Sequence, residues 1–235
     1  MEGRVLGFDL ETLDASPLTT LPCSFALVAV DNGAVVKVRH GLIDPGVPIP
    51  AEASAIHGIL DIDVEARGGQ LEPSIKGIVK VIDESVAMGI PLVGMNCAFD
   101  ITIVNECHKR LFGEPWIDEG WRGRVIDVLV MDRHVDKWRK GSRKLTALCE
   151  TYGVSLTNAH TAAADAEAAI AVAFAIGRKF PEIGNADLDT LHLYQVKWRR
   201  DWATEFSEYR VKKGEPPLDE SDGDWPFIGA RKVAL

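Results

Sequence analysis

Three short clusters hold the residues best suited to chemistry: Phe8-Asp9-Leu10-Glu11-Thr12, Asn96-Cys97-Ala98-Phe99-Asp100 and His160-Thr161-Ala162-Ala163-Ala164-Asp165. The first closes an apolar run, residues 5–10, and alternation along a strand places Asp9 and Glu11 on one face. Two carboxylates on an apolar strand are costly to bury unless they meet a cation, so the pair fits a strand-end salt bridge as well as a metal site. In the second cluster Asn96 stands where it can cap a helix, with Asp100 one turn inside. The helix dipole favours an acid there whether or not it has a chemical role. In the third, positions five apart diverge at about 100° per residue, so His160 and Asp165 converge only if His160 precedes the helix or lies in its first turn. A loop histidine without chemistry is the plainer reading of that residue alone.

The elements that must position these clusters follow from periodicity and turn signals. Residues 5–10, 24–30 and 34–43 read as strands, the last two joined at Asp31-Asn32-Gly33, so three antiparallel strands open the chain. A Pro-rich loop, residues 44–50, precedes a short helix over 51–59 that ends near Gly58. A helix starting at Pro73 and running to Gly89 leads to a buried strand over 92–95, a helix over 98–112 and a strand over 125–130. Residues 145–152 form a helix closed by Gly153, and the Ala-rich residues 162–180 form a long one stopped by Pro181. Strands first and then strands alternating with helices predict an α/β fold: a mixed sheet, three antiparallel strands followed by parallel ones, with helices on both faces.

Beyond Pro181, Leu188, Leu191, Tyr194, Trp198, Trp202, Phe206 and Tyr209 step by three or four residues and mark one apolar helix face. The expected organisation is a main domain over 1–182, an amphipathic C-terminal helix over 183–213 and an extended tail over 214–235, anchored by Trp225, Phe227 and Ile228.

With 235 residues, 46% hydrophobic, the chain suffices for one substantial core. No run of about 18 apolar residues is present and residues 1–5 carry no leader-like apolar region, which points to a cytoplasmic protein with no membrane partner. Cys23, Cys97, Cys107 and Cys149 lie far apart and read as reduced, buried thiols. A net charge of −9 and a pI near 5.2 argue against tight non-specific binding to long duplexes. They do not exclude a nucleic-acid substrate, because a carboxylate cluster filled by divalent cations attracts phosphate.

Taken together, FDLET on the first strand, NxxxFD at a strand-to-helix junction and HxxxxD at the start of a late helix resemble the DEDDh family of 3′→5′ exonucleases, across residues 4–180. The family includes the proofreading subunit of bacterial replicative DNA polymerase, RNase T and oligoribonuclease. The resemblance implies a ribonuclease-H-like sheet in which Asp9, Glu11, Asp100 and Asp165 hold two divalent ions, Mg²⁺ or Mn²⁺, about 4 Å apart. It implies His160 as the general base, its ordinary pKa of about 6.5 suiting neutral pH. Thr12, His57, Asn96 and Phe99 are expected against the terminal nucleotide, although Leu13-Asp14 replaces the family's usual Thr-Gly.

Asp127 resembles a family acid that supports the site from behind. The basic run Arg133, Lys137, Arg139, Lys140, Arg143 and Lys144 fits a solvated face or a phosphate track, with Arg143 and Lys144 as the candidate contacts. The implied substrate is the 3′ end of single-stranded DNA, in preference to RNA, with proofreading or DNA repair as the setting. Short RNA and a non-catalytic polymerase-associated subunit are the competing readings. Candidate protein partners are a polymerase or a second copy of the chain.

Overall fold

The computed structural model describes residues 3–118, 121–156 and 160–229. Its elements run β1 Arg4–Thr12, β2 Pro22–Asp31, β3 Ala34–Asp44, α1 Ala51–His57, α2 Asp61–Arg67, β4 Gly69–Gln70, α3 Leu71–Ala87 and β5 Leu92–Gly94. They continue with α4 Cys97–Phe112, β6 Val125–Asp127, α5 Val128–Val135, α6 Leu145–Tyr152, α7 Ala162–Lys179, α8 Pro181–Gly184 and α9 Leu188–Lys212, before a single 3₁₀ turn at Glu220–Gly223.

The six strands form one sheet in the order β4-β3-β2-β1-β5-β6. β1, β2 and β3 pair antiparallel, while β5 joins β1 and β6 joins β5 in parallel. The hairpin between β2 and β3 turns at Asn32 and Gly33, both with positive φ, the backbone that a two-residue primed turn demands. The mixed α/β sheet expected from the sequence is therefore the observed one.

Strand alternation sorts β1 into two cores. Leu6, Phe8 and Leu10 face Ile75, Ile78 and Ile82 of α3 and Ile101 and Val104 of α4. Val5 faces the other side, with Ala166, Ala169, Ile170 and Ala173 of α7 and Leu148 of α6. Helices thus cover both faces, and the short side chains of α7 let it lie close to the strands.

Two local expectations change. The apolar run 125–130 is a strand for only three residues, because the Asp127 carboxylate accepts the Leu129 N–H and starts α5. The stripe of α9 is not uniformly buried: Leu191 is 1% exposed, whereas Tyr194, Phe206 and Tyr209 are 46%, 37% and 53% exposed, and the buried face of the first half is made by Leu191, His192 and Gln195. That first half seals the outer edge of β6. His192 Nδ1 accepts the Val125 N–H at 3.2 Å, and Gln195 accepts the Asp127 N–H at 2.7 Å and donates to the Val125 carbonyl at 2.9 Å, so side chains satisfy an edge that would otherwise be open.

All four cysteines are free and buried. Among the described residues no helix is long and apolar enough to cross a membrane. The tail is described as far as residue 229; Trp225 and Phe227 are buried in the α3–α4 core, 2% and 3% exposed, and Ile228 is half-buried. Residues 230–235 lie outside the described part.

Candidate metal centre

The odd-numbered positions of β1 point toward α7, and Gly7 decides how near that helix comes. A Cβ at Gly7 would stand 2.7 Å from Ile170 Cδ1 and 3.1 Å from the Ala166 carbonyl, so a larger residue would have to push Ile170 aside and α7 slightly back. Asp9 and Glu11 continue the same face toward the strand end, and Asp165 precedes Ala166 on α7. The consequence is that carboxylate oxygens of Asp9, Glu11 and Asp165 lie within 4.8 Å of one another. No feature of the sequence pattern assigned Gly7 this part; a glycine among bulky residues two positions before the first acid was the available signal.

Asp100 arrives from the opposite core. It is 5% exposed in the first turn of α4, and its Oδ1 accepts the Leu10 N–H at 3.2 Å, which fixes it beside the gap between Asp9 and Glu11. It stands outside the three-residue set but is felt by it. Burial and then the charges of Asp100, Glu11 and Asp165 push Asp9 well above the usual carboxylate range. Burial and then Asp165 push Glu11 up to about 7. Asp100 is raised by burial, against the lowering effect of the Leu10 N–H. Asp165 is raised by burial and pulled back by the backbone and imidazole of His160.

His160 is exposed, in the left-handed region at φ 67°, directly before Thr161, whose hydroxyl caps α7 by accepting the Ala164 N–H at 3.4 Å. It therefore sits in the loop ahead of the helix, a location from which it can reach Asp165.

This cluster fits a divalent cation on its own chemistry. Asp165 Oδ1 is buried without a hydrogen-bond partner among the described residues. None of the ion pairs there involves Asp9, Glu11, Asp100 or Asp165. Four buried or half-buried acids that form no ion pair among the described residues lack compensating positive charge, and hard carboxylate oxygens suit hard cations.

Behind the cluster, Asp127 is 1% exposed and accepts four hydrogen bonds. Oδ1 takes the Asn96 and Leu129 N–H groups, both at 3.0 Å; Oδ2 takes the Cys97 N–H at 2.9 Å and the Trp225 indole N–H at 3.2 Å. One carboxylate thus ties the start of α4, the start of α5 and the C-terminal tail. Asn96 occupies the N-cap position at φ 62° but makes no side-chain cap bond; its backbone N–H, held by Asp127, sets the turn instead. A sequence reading places Asp127 behind the site but gives no sign that Trp225, 98 positions later, completes its shell.

The remaining candidates fall in different places. The Thr12 hydroxyl donates to the Asp14 carbonyl at 3.0 Å, and Phe99 is half-buried against the α3–α4 core. His57 is half-buried near the end of β1, its Nδ1 accepting the Ile59 N–H at 3.1 Å and its Nε2 lying 3.7 Å from Cys23 Sγ. Lys144 is exposed. Arg143 is engaged inside the protein: it pairs with fully buried Asp132 and donates to the Asp132, Asp136, Lys137 and Arg139 carbonyls. Arg139 pairs with the same Asp132, whose other oxygen accepts the Tyr152 hydroxyl at 2.8 Å. Much of the basic run thus braces its own loop.

Comparison with known proteins bears on this geometry. Polymerases of the DNA polymerase III PolC type resemble the chain: that of Lacticaseibacillus paracasei is 30% identical over 161 residues, covering 68% of this chain and 10% of the polymerase. That of Listeria monocytogenes is 26% identical over 188 residues, covering 80% and 12%. Among solved structures, E. coli Exonuclease I in complex with a dT13 oligonucleotide superposes with a TM-score of 0.65 at 22% identity, over 78% of this chain and 43% of that one. Exonuclease I from Methylocaldum szegediense gives 0.62 at 23%, over 88% and 46%. The chain therefore spans about a tenth of the polymerases and less than half of the Exonuclease I chains, and the latter likeness establishes the ribonuclease-H-like fold. The RNase_T family model, described as Exonuclease, matches residues 6–173, the stretch that contains all four clustered acids and His160. By that match the chain belongs to the DEDDh-type exonuclease family.

Proposed function

We propose that the chain is a metal-dependent 3′→5′ exonuclease that removes nucleoside 5′-monophosphates from single-stranded DNA. The observation that carries this reading is the set of carboxylates of Asp9, Glu11 and Asp165 within 4.8 Å, with Asp100 alongside and none of them in an ion pair among the described residues. Asp9, Glu11, Asp100 and Asp165 would hold two divalent cations, Mg²⁺ or Mn²⁺, which when bound supply the Lewis acidity that polarises the scissile phosphate. His160, exposed beside Asp165, takes the proton of the attacking water, and its place in a loop lets the ring adjust to the substrate. Asp100, held by the Leu10 N–H, keeps a fixed carboxylate at the floor of the site. Thr12, His57, Asn96 and Phe99 border the terminal nucleotide, and Lys144 is free to meet the backbone.

Single-stranded DNA is favoured because the Exonuclease I structures that share this fold hold dT13 and dA16 oligonucleotides, and the PolC-type relatives are DNA polymerases. The test is digestion of 3′-labelled and 5′-labelled DNA and RNA strands of matched sequence, in Mg²⁺, Mn²⁺ or EDTA, beside Asp9→Ala. Metal-dependent release of mononucleotides from the 3′ end of DNA, abolished in Asp9→Ala, is expected. Preferential attack on RNA would transfer the reading to an exoribonuclease, and no cleavage of any strand would leave a binding subunit.

A further inference from the structure

α9 carries a row of aromatic rings whose far members, Phe206 and Tyr209, are exposed, and its position relative to the sheet gives that row a direction. The helix runs alongside β6 in the same sense, since His192 meets Val125 and Gln195 meets Asp127. Continuing seven residues at a time, the Gln195 line becomes Trp202 and Tyr209, and the His192 line becomes Arg199, Phe206 and Lys213. The face that seals β6 therefore projects past the carboxyl end of that strand, and Tyr209 lies about 20 Å beyond Gln195 at 1.5 Å per residue. β1, β5 and β6 are parallel, so this is the sheet edge that carries Glu11 and, after β5, Asp100.

On the overhang the rings form a ladder. Trp202 stacks with Phe206 at 5.5 Å between centroids and 16° between planes, and Phe206 with Tyr209 at 6.2 Å and 14°. Phe206 and Tyr209 are 37% and 53% exposed. Cations lie against the rings: the Arg133 and Arg199 guanidinium groups lie 3.7 Å and 4.8 Å from the Trp202 centroid, and Lys213 Nζ lies 5.7 Å from that of Tyr209. Arg133 Nη1 is buried with no hydrogen-bond partner among the described residues. The acids Asp201 and Glu205 line the same cavity as Arg133 and Trp202 and are paired with Lys197 and Lys137.

Aromatic rings interleaved with cations accept stacked bases and phosphates together. We infer that Trp202, Phe206 and Tyr209, with Arg133 and Lys213, form a second binding site for single-stranded nucleic acid, holding the strand upstream of the 3′ end that enters the carboxylate cluster. The inference rests on the exonuclease reading of that cluster. A strand too short to span both sites gains nothing from the ladder; a longer one binds at two places on one chain.

The experiment is fluorescence anisotropy of the full chain in EDTA with 5′-labelled oligothymidylates of about 4 and about 20 nucleotides, for wild type and Phe206→Ala/Tyr209→Ala, whose exposed positions leave the fold intact. Wild type should bind the longer strand at least about tenfold more tightly and the double variant should lose at least about fivefold of that advantage, the smaller end of what one stacked base contributes. Quenching of Trp202 fluorescence, seen as the change lost in Trp202→Phe, should accompany only the longer strand. An unchanged length advantage in Phe206→Ala/Tyr209→Ala overturns the inference. So does a wild-type dimer that the double variant converts to monomer without altering strand binding, which would assign the ladder to a second copy of the chain. Cleavage of the short strand by wild type in Mn²⁺ reports separately on the exonuclease reading, because that strand does not involve the ladder.

Discussion

Asp127→Asn is the substitution whose cost can be worked most fully from the structure. The carboxylate accepts two N–H groups on each oxygen, from Asn96 and Leu129 on one and from Cys97 and Trp225 on the other. Asparagine has the same shape but one acceptor oxygen, so in either orientation its amide group confronts two buried donors. Each hydrogen bond to a charged group is worth about 1.5–3 kcal/mol, so losing two costs about 3–6 kcal/mol. Removing the negative charge also leaves Arg133 and Arg199 without a counter-charge that both of them feel. Against a typical total of about 5–15 kcal/mol, the variant should be close to unfolding at growth temperature. Urea denaturation followed by circular dichroism measures this, and Trp225→Phe, which removes one of the four bonds, supplies a cycle. In an Asp127→Ala background, where no acceptor is left, Trp225→Phe should cost far less than in wild type, because their partnership is already broken. A loss below about 1 kcal/mol for Asp127→Asn, or strict additivity of Asp127→Ala with Trp225→Phe, would refute the idea that this carboxylate ties the tail to the starts of α4 and α5.

The acids of the cluster make a pH prediction. Glu11 titrates at about 7 in the fold against 4.5 ordinarily, and Asp9, Asp100 and Asp165 are raised as well, so the folded protein binds protons more tightly than the unfolded chain. Stability from these groups is full below the unfolded value of 4.5 and is lost as pH rises through about 7. In EDTA the melting temperature should fall across that window, and saturating Mg²⁺ or Mn²⁺ should flatten the slope; a melting temperature that rises with pH in EDTA would be inconsistent with the repulsion. His160→Ala should lower kcat by about 10²–10⁴-fold, the range for a lost general base, while leaving thermal unfolding unchanged because the ring is exposed. Gly7→Ala drives a Cβ to 2.7 Å from Ile170 Cδ1 and should destabilise by about 1–3 kcal/mol, and by displacing α7 it should also weaken Mn²⁺ uptake. Retained stability and metal affinity in Gly7→Ala would show that α7 has room to move.

What could be read from the sequence was what local rules govern. The hairpin at Asn32-Gly33, the stop of α6 at Gly153 and the helix that begins after Thr161 depend on backbone preferences within a few residues, and all are where those preferences put them. The acid pairs were legible because carboxylates on apolar strands are conspicuous, but their convergence depended on Gly7 and on packing across the sheet. Long-range partnerships stayed hidden. The run 125–130 has one hydrophobic pattern for both a buried strand and a buried helix, and only the Asp127 cap divides it. The even stripe of α9 looks uniformly core-facing, since periodicity reports which side a residue is on and not where the sheet beneath it ends.

The most direct measurement is the uptake of Mn²⁺ by the purified chain, followed by electron paramagnetic resonance of the free ion, for wild type, Asp9→Asn and Asp165→Asn. Two ions taken up by wild type in the presence of a single-stranded oligonucleotide, with both variants sharply impaired yet folded, is the result predicted for a carboxylate cluster that works as a metal centre. Wild-type protein that leaves the Mn²⁺ free, or an Asp165→Asn variant that takes up as much as wild type, would contradict it.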